Sequence, residues 1–167
     1  GKVLYITNTI AEYRVCFFDE LSANIDVTFL ITHPDMANKI YGSDGSNNSL
    51  NVINLKGNLL DRIKDIKHHV TSNKDSKVIL PPADSMTEIV EGYFSLRSAQ
   101  RVGADIFTWT EKWEPEKQYQ PFFKRIKNLV QRIAYGYYAQ NATRCIDFGK
   151  KSGEYINRVG AKKDKIR

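Results

Sequence analysis

Three short stretches of the chain carry side chains whose types and spacing could do chemistry. The first is Thr7-Asn8-Thr9, a polar turn behind the apolar run Val3-Leu4-Tyr5-Ile6, with Tyr13 and Arg14 at the head of the amphipathic segment that follows. It offers hydroxyls, an amide and a guanidinium, and arginine at such an edge is a favoured reader of anionic groups. The plainer role for Arg14 is a surface charge or a salt bridge to Asp19 or Glu20. The second is His33, just beyond the apolar run Val27 to Ile31. The third is Trp109-Thr110-Glu111-Lys112-Trp113-Glu114, where indoles could meet sugar faces and carboxylates could meet hydroxyls. In that stretch Trp109 reads as core, and Glu111 and Trp113 as substrate contacts.

The familiar catalytic and nucleotide patterns are missing. There is no GxGxxG and no GxxxxGK[ST], the loops whose glycines bring backbone amides close to phosphates. No Ser-His-Asp order, HExxH or paired Cys/His spacing occurs, so no self-sufficient catalytic set and no metal site is expected. His68 and His69 are adjacent in a predicted helix and do not share a face, which argues against joint metal binding.

The elements that must position these residues follow from periodicity. From Val3 to Thr32 the order is an apolar run, an amphipathic segment from about Ala11 to Ala23, and a second apolar run, a βαβ unit and therefore a parallel sheet. The turn after its first strand falls at the carboxyl edge, where open α/β sheets place ligands. His33 to Ser49, rich in Asp, Asn, Gly and Ser, reads as a long loop. Leu50 to Leu55 reads as a strand, and Asn58 caps a helix carrying Ile63, Ile66 and Val70. Lys77 to Leu80 is a fourth strand. Asp84 or Ser85 can cap the next helix, with Glu88 three positions beyond Ser85 as in a capping box, and Gly103 stops it near Val102. Asp105 to Trp109 is a fifth strand, Tyr119 to Tyr138 a long helix, Arg144 to Phe148 a strand and Lys150 to Val159 a helix. The expected architecture is one α/β domain over residues 1–167, a doubly wound, mainly parallel Rossmann-like sheet with helices on both faces.

The helix from Tyr119 is amphipathic: Phe122, Phe123, Ile126, Leu129, Val130, Ile133, Ala134 and Tyr137 form one stripe, and Lys124, Arg125, Lys127, Gln131 and Arg132 the other. Such a stripe is expected to pack on the sheet. The basic side, with its flanking aromatics, also suits an anionic membrane surface. Charge is unevenly spread over the 167 residues. Residues 1–111 hold 11 Lys and Arg against 14 Asp and Glu, whereas residues 112–167 hold 14 against 5. A basic half implies an anionic partner, and without a recognition motif nucleic acid is not expected. No apolar run approaches the roughly 20 residues of a membrane span, and no secretory signal is visible, so a cytoplasmic protein is expected. Cys16 and Cys145 then read as reduced, buried thiols.

Several of these stretches together resemble a known family. An opening strand ending in Thr7-Asn8, then Glu12-Tyr13-Arg14-Val15, Phe17-Phe18 and Leu21, then the strand Val27 to Ile31, is similar to the N-terminal domain of bacterial GT-B glycosyltransferases of family four. Gly103 to Glu111 resembles the segment leading into that domain's acceptor-side loop, and Gly149 to Ile166 the helix before the crossover into a second domain. The chain departs from the family in two places: Thr7 to Ala11 replaces a glycine-rich first loop, and Thr110-Glu111 stands where many members carry a histidine.

The resemblance implies one half of a GT-B fold, the acceptor-side domain of a hexosyltransferase. The reaction implied is retaining sugar transfer from a nucleotide-diphosphate sugar in cell-envelope polysaccharide or lipopolysaccharide synthesis. It implies no cofactor in this domain, a separate C-terminal domain holding the donor, a glycan or lipid-linked acceptor, and a location at the inner face of the plasma membrane. This half alone would be inactive. Thr7, Asn8, Thr9, Tyr13, Arg14, His33, Glu111 and Trp113 are the candidate substrate-binding residues, and no catalytic residue is assigned. Two other readings stand beside this one: a stand-alone α/β binding or regulatory module, and half of a nucleotide-sugar epimerase, which would consume a donor without an acceptor.

Overall fold

Val3–Thr7 and Val27–Ile31 are apolar, β-branched runs in which every residue is buried. Burial on both faces is what a central strand of a parallel sheet requires. The protein, a computed structural model, is described over residues 1–11, 14–36, 50–74, 76–110 and 121–166. These two runs are β1 (Val3–Thr7) and β2 (Val27–Ile31). With β3 (Val52–Asn54), β4 (Lys77–Ile79), β5 (Ile106–Thr110) and β6 (Arg144–Asp147) they form one sheet. Its order is β3-β2-β1-β4-β5-β6, and every pairing is parallel. Val3 lies opposite both Val27 and Lys77, so β1 is central and the chain reverses direction of travel across the sheet between β1 and β4.

Among the described residues five α-helices connect and cover the strands: α1 (Val15–Asn24), α2 (Leu59–Ser72), α3 (Met86–Val102), α4 (Phe122–Asn141) and α5 (Lys150–Arg158). Asn58 caps α2 through the amides of Leu60 and Asp61, and Asp61 returns a bond to the Asn58 amide. Gly103 closes α3 in the left-handed region at φ 70°, where a side chain would be strained.

The alternation of each strand sorts its side chains into two cores. Leu4, Ile6, Leu30, Val78 and Ile106 point to one face, against Ile66 and Val70 of α2, Leu96 and Ala99 of α3, Tyr135 and Tyr138 of α4, and Ile156 of α5. Val3, Tyr5, Phe29, Ile31, Ile79 and Trp109 point to the other, around Phe18 of α1. The Phe18 ring lies 4.9 Å from Phe29 and 5.4 Å from Tyr5. The doubly wound Rossmann-like class expected from the sequence is what the chain adopts, and Trp109 is core as expected.

Helix α4 overturns its expectation. The stripe of Phe122, Phe123, Ile126, Leu129, Ile133 and Tyr137 does not lie on the sheet; all six are exposed. The buried residues are Gln131, Tyr135, Gly136, Tyr138 and Ala139. Small residues and hydrogen bonds decide this. Gly136 and Ala139 let the helix approach closely, and a Cβ on Gly136 would stand 2.5 Å from the Val159 carbonyl oxygen. The Tyr138 hydroxyl donates to the Ile89 carbonyl, and Gln131 Nε2 donates to the Asp84 carbonyl at 2.6 Å. Tyr138, anchored in this way, buries a large ring with its polar end satisfied, and Tyr135 packs beside it in the same core. Cys16 is a second correction. It lies on the solvent side of α1 and is exposed, because the apolar face of that helix is carried by Phe18; only Cys145 is buried.

Candidate functional site

Between β1 and β4 the strand order switches, and the crevice at the carboxyl ends of strands flanking such a switch is the usual ligand position of an open α/β sheet. Asn8, first residue beyond β1, lies on one side. The N-terminal turns of α3 lie on the other. Asn8 Oδ1 accepts the Thr9 amide at 2.7 Å, which fixes the turn and leaves the other end of the side chain, Nδ2, to donate to Glu88 Oε1 at 2.9 Å. Glu88 Oε2 accepts the Asp84 amide at 2.9 Å. Ser85 caps α3 by accepting the Glu88 amide at 3.2 Å. The capping box read from Ser85 and Glu88 is therefore only half formed, since the Glu88 carboxylate has turned to Asp84 and across the crevice to Asn8.

One helical turn on, Glu91 is fully buried and sits between Arg62 and His33. Its Oε1 accepts Arg62 Nε of α2 at 2.8 Å, and its Oε2 lies 3.6 Å from His33 Nε2. Arg62 is held in turn by donating Nη1 to the Gly57 carbonyl at 2.9 Å. His33 reaches this place because the loops after β1 and β2 are joined: the Thr32 amide donates to Thr7 O at 2.9 Å and the His33 amide to Asn8 O at 2.7 Å. Four elements, the turns after β1 and β2 and the helices α2 and α3, thus deliver Asn8, His33, Arg62, Glu88 and Glu91 to one crevice.

The two glutamates are driven apart in acidity. Burial pushes the Glu88 carboxyl up, and its bonds to the Asp84 amide and Asn8 only partly offset this. Burial acts on Glu91 in the same sense, but hydrogen bonding and charge from His33 and Arg62 together outweigh it and hold Glu91 below the usual range. Neighbouring carboxyls separated in this manner suit a division of roles, one exchanging protons and one remaining ionised.

The sequence candidates divide among three fates. Asn8 and His33 are in the crevice. Thr7 and Thr9 are buried in the turn that holds Asn8, and the Thr7 hydroxyl stays within that turn, near Asn8 Oδ1 and Thr9 O at 3.5 Å. Arg14 stands apart, its guanidinium 5.0 Å above the ring of Trp109, which in turn lies 5.6 Å from Phe148. Tyr13, Glu111 and Trp113 fall outside the described residues, as does most of the loop expected from His33 to Ser49. Beside Phe148, a cleft of about 470 Å³ is lined by Gly149, Lys150, Lys151 and Ser152 at the head of α5.

Sequence reasoning missed Glu91 and Arg62 and gave Glu88 only a capping role. A signal was there: Glu88 and Glu91 fall on the same face of α3 as Gly92, Leu96 and Ala99, so carboxylates interrupt an otherwise buried stripe.

The sequence matches no protein-family profile, and no curated protein matches it. In structure the chain is similar to UDP-N-acetylglucosamine 2-epimerase from Rickettsia bellii, with a TM-score of 0.60, 14% identity, and 99% of this chain covering 43% of that one. It is also similar to a Listeria monocytogenes protein assigned as a UDP-N-acetylglucosamine 2-epimerase, with a TM-score of 0.54, 12% identity, and 99% of this chain covering 44% of that one. The chain spans less than half the length of either protein. At these identities the likeness is one of fold, an α/β Rossmann-like sheet of the kind that makes up one half of a GT-B enzyme.

Proposed function

We propose that this chain is the acceptor-side domain of a sugar-nucleotide-using glycosyltransferase, and that the crevice holding Asn8, His33, Glu88 and Glu91 receives the acceptor hydroxyls. The observation that carries this reading is the polarity of the crevice. Glu91 is already neutralised by Arg62, whereas a Glu88 carboxyl whose pKa is raised and the Asn8 amide suit sugar hydroxyls, which both donate and accept, better than a diphosphate. The donor's diphosphate is then held by a second domain. The family resemblance and the length of the similar structures both support a partner domain of that kind. Retaining transfer, the envelope polysaccharide and the inner face of the plasma membrane rest on the resemblance alone. Among the described residues no helix is long and apolar enough to cross a membrane.

Acceptor kinetics on the intact enzyme test the reading. Asn8→Ala and Glu88→Gln are expected to raise KM for the acceptor about tenfold or more, the scale of one or two hydrogen bonds to a charged group, while KM for the sugar nucleotide stays near wild type. A change confined to the donor would transfer the crevice to the donor and refute the assignment. The similarity to epimerase structures favours a second reading, half of a nucleotide-sugar epimerase. Consumption of a UDP-sugar with no acceptor present, at wild-type rate, would decide for it.

A further inference from the structure

Helix α4 presents to solvent the side chains that a helix in a folded domain normally hides. Phe122 and Phe123 are 70% and 83% exposed, and Ile126, Leu129 and Ile133 continue the stripe at three- and four-residue spacing. Phe122 through Lys127 are all exposed, so the first turns project past the sheet instead of lying on it. Toward the other end the stripe reaches Tyr137, whose ring lies 6.2 Å from the half-exposed Tyr93 of α3. Lys124, Arg125, Lys127 and Arg132 border it, and α4 contains no Asp or Glu.

We propose that the projecting end of α4 docks on an anionic lipid bilayer. Phe122, Phe123, Ile126 and Leu129 enter the boundary between headgroups and acyl chains, and the bordering cations lie at the level of the lipid phosphates. Charge complementarity selects this occupant. A second copy of the chain would set one cationic border against another, and like charges across an interface oppose pairing. The basic excess is also general to this end of the chain: residues 121–166 hold 11 Lys and Arg against 3 Asp and Glu. The shape agrees, because a single projecting rod with apolar side chains along one side can lie in a planar interface without a groove to receive it.

Docking would also orient the crevice. Helix α4 follows β5, so it begins near the carboxyl edge of the sheet, and its packed half touches the crevice wall where Gln131 bonds the Asp84 carbonyl. Taken with the acceptor reading above, on which this one step rests, that places a lipid-carried acceptor within reach of the edge.

Vesicle co-sedimentation of the full chain tests the docking, with circular dichroism confirming the fold of every variant. Binding is expected to vesicles containing phosphatidylglycerol, to weaken as salt rises, and to be far weaker on pure phosphatidylcholine. Lys124→Ala and Lys127→Ala should each lower partitioning about fivefold, and Phe122→Ser with Phe123→Ser should remove it. All four positions are exposed, so none carries the core. Failure to bind phosphatidylglycerol vesicles at low salt overturns the proposal. So does unaltered binding by the double phenylalanine variant, or a dimer in solution that this variant dissociates, which would make the stripe a self-interface. No activity is read, so these outcomes are independent of the acceptor assignment.

Discussion

Replacing Arg62 with methionine would remove the guanidinium bonded to Glu91 while keeping most of the apolar stem of the side chain. Glu91 is fully buried and Arg62 only 12% exposed at its side chain, so the lost 2.8 Å contact is a charge-assisted hydrogen bond screened little by water. Breaking a buried pair by removing one partner costs about 3–5 kcal/mol, chiefly because the remaining charge is stranded. The low end applies, since His33 stays 3.6 Å from the other oxygen. At about 3 kcal/mol, and about 2–4 °C per kcal/mol for a domain of this size, Arg62→Met should lower Tm by about 6–12 °C at neutral pH. Acidity supplies the control. The carboxyl of Glu91 is held below its ordinary 4.5, so the pair contributes stability above that pH and loses it as pH falls through the folded value. The gap between wild type and variant should therefore be widest above about pH 5 and should close as Glu91 becomes protonated. The double variant Arg62→Met with Glu91→Gln should recover most of the loss. Differential scanning fluorimetry across that range is sufficient. A Tm change of equal size at all pH values would show that the cost is lost packing of the arginine stem, and the electrostatic argument would fail.

Other consequences are simpler to state. The raised carboxyl of Glu88 contributes stability below its unfolded value that is lost as pH rises through the folded one. Wild type should therefore lose stability relative to Glu88→Gln as pH is raised from acid to neutral, and a constant difference would contradict the burial argument. Gly136→Ala would place a methyl 2.5 Å from the Val159 carbonyl oxygen, a backbone atom that cannot turn away, at a cost of about 1–3 kcal/mol visible in a thermal melt. A thiol reagent should label Cys16 in the native protein, whereas Cys145, buried and with its thiol pushed up to about 11, should react only after denaturation.

The framework was legible because strands buried on both faces have no other reading. Val3 to Ile6 and Val27 to Ile31 are continuous apolar runs with an amphipathic stretch between them, and that pattern dictates a parallel pair. Caps were legible for the same local reason, as at Asn58 and Gly103. The crevice was legible only in outline. Asn8 and His33 were found from their place at strand ends, but Arg62, Glu88 and Glu91 come together through contacts between α2 and α3 that no local pattern encodes. Helix α4 shows a different limit. Periodicity identifies an apolar stripe but not which side faces the sheet, and here Gly136, Ala139, buried Tyr135 and the hydroxyl-anchored Tyr138 outcompete it.

The head of α3 bears most directly on what the crevice can hold. In many open α/β sheets the amides at such a helix start, backed by the helix dipole, receive a phosphate. Here that place is already taken. The Ser85 hydroxyl accepts the Glu88 amide, and the Glu88 carboxylate accepts the Asp84 amide while also binding Asn8 across the crevice. An incoming phosphate would have to displace these bonds, leaving buried groups unsatisfied at about 1–3 kcal/mol each, and would meet a carboxylate of its own sign. A hydroxyl would meet neither penalty, since it can donate to Glu88 and accept from Asn8 without dismantling the cap. The same side chain that completes the start of the helix therefore disfavours a phosphate at this helix end and favours a hydroxyl there.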